Sequence, residues 1–130
     1  MNIMIVDDEL ISRKKLSIIL QAYGKCFEFS DGASALEFYK NAVKENTQIG
    51  LITLDIDMPK LTGIETLGLI RDLQKAQNVP ASNRPKVFMV TSMNDQKNLM
   101  NSLTQGCSDY IVKPFDEEKI IDKLHNHLLI

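Results

Sequence analysis

Residues 50–59 read GLITLDIDMP, an apolar run that ends in two carboxylates, Asp55 and Asp57, just before Met58 and Pro59. Ile49 to Leu54 is apolar on both sides of an extended chain, so the spacing predicts a strand buried on both faces. Such a strand belongs in a sheet covered above and below. Working outward, four more short runs predict strands: Asn2 to Val6, Cys26 to Phe29, Lys86 to Val90 and Asp109 to Val112. Longer amphipathic runs separate them. Glu9 to Tyr23 places Ser12, Leu16, Ile19, Leu20 and Tyr23 at helical spacing, with Asp8 as the expected N-cap. Ala33 to Lys44 puts Leu36, Tyr39 and Val43 on one face, and Leu61 to about Lys75 carries Leu67 and Ile70. Asp95 to Gln105 is a weaker helix ended by Gly106. Phe115 to Leu128 is expected to turn Ile121, Leu124 and Leu128 inward, with Asp116, Glu117 and Glu118 at its positive end.

Five β-α pairs predict an α/β fold. Strands joined through helices run parallel, with helices on both faces. Right-handed crossovers place every strand C-terminus at one edge, where ligands of open sheets bind. The chain of 130 residues is one domain's worth, with 44% apolar and 25% charged residues. A formal net charge of -2 gives no reason to expect nucleic acid or an anionic membrane as partner. Cys26 and Cys107 form no CxxC pair, so a reducing cytoplasm fits and both are read as structural. The start, MNIMIVDDE, lacks a basic segment and an apolar run long enough for a signal peptide or membrane span. His125 and His127 lie two apart and do not share a helix face, so no metal or phosphotransfer role is assigned to them.

The residues that follow the strands are mostly polar. The first strand ends in Asp7 and Asp8, the second in Ser30, Asp31 and Gly32, the third in Asp55, the fourth in Thr91 and Ser92, the fifth in Lys113 and Pro114. A strand order 2-1-3-4-5 would put Asp7, Asp8 and Asp55 in one pocket. Two unit charges about 5 Å apart at an effective dielectric of about 20 repel by about 3 kcal/mol. Lys113 offsets part of that repulsion, and a hard dication such as Mg²⁺ offsets more. A carboxylate beside a metal and a lysine is suited to phosphoryl transfer, with the carboxylate itself as nucleophile.

IMIVDDE, SDGASAL, LITLDIDMPKLTG, VFMVTS and GCSDYIVKPF occur in this order along the chain. Together they resemble the receiver domain of bacterial two-component response regulators, over essentially the full length. The resemblance implies a flavodoxin-like (βα)5 fold with a five-stranded parallel sheet in the order 2-1-3-4-5. It implies Asp55 as phosphoacceptor, Asp7 and Asp8 as the acidic pair that holds Mg²⁺, and Asp57 as donor of a backbone carbonyl to the metal. The Asp57 side chain and Met93 fall at positions that tune phosphoryl lifetime. Thr91 is implied as the switch hydroxyl, Lys113 as the phosphoryl's ion-pair partner before a cis Pro114, and Tyr110 as the aromatic that moves with Thr91. A sensor histidine kinase or histidine phosphotransfer protein would be the donor. A downstream effector protein would bind the face from about Asp95 to Leu128, and a phosphorylation-dependent dimer is a further expectation. Lys60 and Thr62 stand where the family often has Gly and Asp. Residues 1–130 read as a single, stand-alone receiver with no output domain, and not as a conventional enzyme.

Two other classes compete. In chain order, Asp55, Asp57, Thr91 and Lys113 also resemble a haloacid-dehalogenase-type phosphatase. That family carries its acidic metal pair after the lysine, whereas here Asp7 and Asp8 come first. A pseudo-receiver controlled without phosphorylation would have lost the acceptor or the acids, and all are present.

Overall fold

The computed structural model describes residues 1–92 and 95–130. Met93, one of the expected lifetime-tuning positions, lies outside the described residues. The chain alternates β1 (Asn2–Val6), α1 (Leu10–Leu20), β2 (Lys25–Phe29), α2 (Gly32–Lys44), β3 (Leu51–Asp55), α3 (Gly63–Ala76), β4 (Lys86–Ser92), α4 (Gln96–Thr104), β5 (Asp109–Lys113) and α5 (Glu117–Asn126). A single 3-10 turn, Ala81–Asn83, lies between α3 and β4. The five strands are parallel in the order β2-β1-β3-β4-β5. The flavodoxin-like arrangement expected from the sequence is the one observed.

Period-2 alternation sorts the central side chains between two cores. Ile3 and Ile5 of β1 face one way, with Leu51, Phe88, Val90 and Ile111, against Leu16 and Leu20 of α1 and Ile120 and Leu124 of α5. Met4 and Val6 face the other way, with Ile52, Leu54, Val87 and Met89, against Tyr39 of α2 and Leu67 and Ile70 of α3. Every residue of β3 is buried, as its apolar run requires. Each aliphatic side chain so placed contributes about 1.5–3 kcal/mol relative to exposure.

Four expectations are corrected in the helices. Asp8 is not the N-cap of α1. Glu9 occupies that position, and no side chain caps it in the usual way. The Glu9 amide is instead satisfied by Asp7 Oδ1 at 2.9 Å, one residue further upstream than the expected cap. Leu128 does not face inward. α5 stops at Asn126, and Leu128 lies beyond it at φ 57°, almost fully exposed. Ile120, not Ile121, is the buried partner of Leu124, because the helix phase is set one residue earlier. α3 begins at Gly63 rather than Leu61, since Thr62 forms a capping box: its hydroxyl accepts from the Glu65 amide, and Glu65 accepts from the Thr62 amide, both at 3.1 Å.

Candidate functional site

β1, β3 and β5 deliver their last residues to one edge. Val6 pairs with Leu54 across β1 and β3, so Asp7 and Asp55 follow at the same level. Ser92 pairs with Lys113 across β4 and β5. Asp7 is fully buried and Asp55 is 4% exposed, while Asp8 is exposed. Carboxylate oxygens of Asp7, Asp8 and Asp55 lie within 4.8 Å of one another. Lys113 Nζ reaches Asp7 Oδ2 at 3.3 Å, Asp55 Oδ2 at 3.5 Å and Glu9 at 3.5 Å. The Lys113-Pro114 bond is cis, as the family resemblance implied.

One lysine does not balance this cluster. Burial and then the Asp7 charge raise the Asp55 carboxyl to about 8, against the opposing charge of Lys113. The Lys113 ammonium is disfavoured by its own partial burial, yet Asp55 and Asp7 outweigh that and raise its pKa. Asp7 Oδ2 is buried and has no aligned hydrogen bond; Lys113 at 3.3 Å gives it a charge partner only. A buried carboxylate oxygen without a hydrogen bond, beside two more carboxylates, is a donor set for a hard, oxygen-seeking dication. Mg²⁺ fits these residues.

The segment after β3 is shaped around Asp55. The Asp57 amide donates to Asp55 Oδ1 at 3.2 Å, and the Gly63 amide donates to the Ile56 carbonyl at 2.9 Å. A Cβ on Gly63 would come within 2.1 Å of the Asp55 carbonyl oxygen, so only glycine lets α3 start this close. Lys60 adopts φ 68°, which accounts for the glycine usual there in the family. Thr62 caps α3 as an Asp would. Both departures from the common motif thus keep the loop's geometry.

Asp57 stands apart from Asp55. Its carboxyl is outside the three-acid cluster among the described residues. Partial burial raises its pKa, and the neighbouring Asp95 raises it further. Thr91 is buried at the end of β4, and its hydroxyl donates to the Ser92 carbonyl at 3.2 Å. Tyr110 is turned outward and 37% exposed, with Lys123 Nζ 5.0 Å from its ring centre. Lys123 is itself fixed by Asp109 at 2.9 Å, and His127 also meets Asp109, at 2.8 Å.

Three residues of the site were not singled out in the sequence. Glu9 is an exposed partner of Lys113, and its pKa is lowered first by a hydrogen bond from Ser12 and then by Lys113. Arg13 donates to the Asp7 carbonyl at 2.8 Å and pairs with Glu28 at 3.4 Å, tying α1 to β1 and β2. Asp95 adds a carboxylate beside Asp57. The charges of Glu9 and Arg13 do not pair with each other but with residues of other elements, so no spacing in the sequence signals their roles.

A model of the response regulator receiver domain matches residues 3–125. Protein CcdB of Bacillus subtilis is 33% identical over 122 residues, covering 92% of this chain and 91% of that one. Chemotaxis protein CheY of the same organism is 29% identical, with 97% and 96% covered. Among solved structures, the CheX-CheY-BeF3-Mg complex from Borrelia burgdorferi superposes with a TM-score of 0.80 at 29% identity, over 98% of this chain and 88% of that one. Neither a phosphatase nor a pseudo-receiver is favoured by these matches, and the parallel sheet with its acid cluster at the carboxyl edge agrees with them. This chain belongs to the response regulator receiver domain family.

Proposed function

We propose that this receiver is switched by a phosphoryl group carried on Asp55. The observation that carries the reading is the placement of a nearly buried Asp55 carboxyl within reach of both Asp7 and Lys113. The donor is a phosphohistidine of a sensor kinase or phosphotransfer protein. An Asp55 oxygen attacks phosphorus; the new O–P bond forms as the P–N bond to the donor imidazole breaks, and the imidazole leaves with a proton from solvent. Hydrolysis by water later returns Asp55 and free phosphate. Lys113 holds the transferred group's charge from one side. Asp7, Asp8 and Asp55, with the Asp57 backbone carbonyl that the resemblance implies, would hold Mg²⁺, which would supply the remaining neutralisation.

The metal also answers the protonation problem. A carboxyl pushed to about 8 is mostly protonated at neutral pH and is then a poor nucleophile. A dication beside it favours the ionised form. Thr91 and Tyr110 form the relay to the outer face: the Thr91 hydroxyl leaves the Ser92 carbonyl for the phosphoryl oxygen, and Tyr110 moves inward from Lys123. The surface of α4, β5 and α5 then changes for an effector. Asp57 sets how long the phosphoryl group lasts. Relatives give this reading its context, since one is a sensor kinase/phosphatase, CqsS of Vibrio cholerae, and one solved CheY is bound to CheX. Incubation with acetyl phosphate and Mg²⁺ should add one phosphoryl mass to the wild type and none to Asp55→Asn. An equal adduct on Asp55→Asn would overturn the assignment.

A further inference from the structure

At the opposite end of the sheet, a groove of about 830 Å³ opens between α3, the 3-10 turn and the turn from α4 to β5. Its size falls within the range of small-molecule sites. Four cations line it: Arg71 and Lys75 from α3, Arg84 and Lys86 from the entry to β4. Asp72 is the single carboxylate among its lining residues. Among the described residues, none of these four cations has a carboxylate oxygen within 4.0 Å. Arg71 is half-buried and spends its guanidinium on neutral oxygens, Gln74 Oε1 at 2.9 Å and the Gly106 carbonyl at 2.6 Å. Arg84 Nε likewise meets only a carbonyl, that of Val79, at 3.0 Å. Burial and then the charge of Arg84 lower the Arg71 pKa, so the two guanidiniums repel one another across the groove.

Unpaired cations that converge on a concave surface favour an anion there. Guanidinium forks and lysine ammoniums suit phosphate oxygens, and the hydroxyls of Ser82 and Ser108 add further donors. No aromatic side chain lines the groove, so it offers no platform for a stacked base. Ala81 and Pro85 are the only apolar side chains among its lining residues, so it has no large aliphatic pocket to anchor a peptide side chain. We propose that this groove is a second ligand site, for a compact anion carrying several phosphate groups, bound by Arg71, Lys75, Arg84 and Lys86. Because Arg71 bonds to Gly106 at the end of α4, occupancy would be felt at the turn that leads into β5.

Tripolyphosphate is a suitable probe, titrated without Mg²⁺ at physiological ionic strength and followed by amide NMR. The expected result is saturable binding with shifts at Lys75, Lys86 and Gly106. Lys75 and Lys86 are exposed, so Lys75→Gln/Lys86→Gln should fold normally. It should bind about tenfold more weakly, through loss of two charge-assisted contacts. Lys40→Gln/Lys119→Gln removes the same charge from exposed sites on α2 and α5 and should leave the affinity unchanged. Equal weakening in both double variants would reduce the effect to net charge and overturn the proposal. So would shifts confined to the Asp55 edge, or tighter binding at the groove by a glutamate-rich peptide than by tripolyphosphate.

Discussion

At the carboxyl ends of the strands, three carboxylates crowd within 4.8 Å around one lysine. In the groove at the entry to β4, four cations line a cavity with one carboxylate. The two regions are electrostatic opposites in a chain whose formal charge is only -2. They differ more in burial than in sign. Asp7 and Asp55 are sealed in, so loss of hydration and then their mutual repulsion shift the Asp55 pKa strongly. Lys75 and Lys86 stand in solvent, where water screens them, while burial and then the charge of Arg84 lower the pKa of the half-buried Arg71. The acid edge is therefore primed to demand a counter-charge, whereas the basic groove accepts one.

The largest effect that would break this contrast is on stability against pH. Asp55 has a folded pKa near 8 against an ordinary value of 3.8. A raised folded pKa means that the folded state holds the proton more tightly than the unfolded one. The contribution is full below about 4 and is lost as pH rises through about 8. Metal-free protein should thus lose a few kcal/mol over that window, read by urea unfolding at several pH values. Saturating Mg²⁺ should flatten the loss, and Asp55→Asn should remove both the slope and most of the metal's effect. A flat metal-free profile would mean that the acids do not share one buried pocket.

A smaller effect is expected at the lysine. Lys113→Ala leaves Asp7 and Asp55 without their cation, and because Lys113 is partly exposed the cost should be about 2 kcal/mol, below that of a fully buried pair. Mg²⁺ should restore part of this stability. No change in the urea midpoint would show that solvent already neutralises the edge. The smallest stability effect belongs to the relay. Thr91→Ala should cost about 1 kcal/mol for its buried hydrogen bond, yet it should abolish the beryllofluoride-induced NMR shifts at Tyr110. Shifts of undiminished size would remove Thr91 from the path to the outer face.

Most of the fold was legible because β3 is apolar on both faces and the strand ends carry most of the polar groups. Asp7, Asp55 and Lys113 could be placed together once the strand order was assumed, since parallel strands bring successive C-termini to one edge. Glu9, Arg13 and Asp95 were missed because their roles depend on side chains crossing between elements. Leu128 departs from its expected inward position because α5 ends at Asn126, before the helical periodicity reaches it. The basic groove was invisible for a different reason. Its cations come from residues 71–75 and 84–86, separated by a turn, and the chain's average charge hides them.

Of the two aspartates of GLITLDIDMP, Asp55 is the one expected to take the phosphoryl group. Borohydride reduction of the phosphorylated protein converts the acyl phosphate to homoserine, and fragment-ion mass spectrometry locates that residue. Homoserine at position 55, with Asp57 intact, is the result expected from the buried cluster around Asp7 and Lys113. Homoserine at position 57 would contradict it.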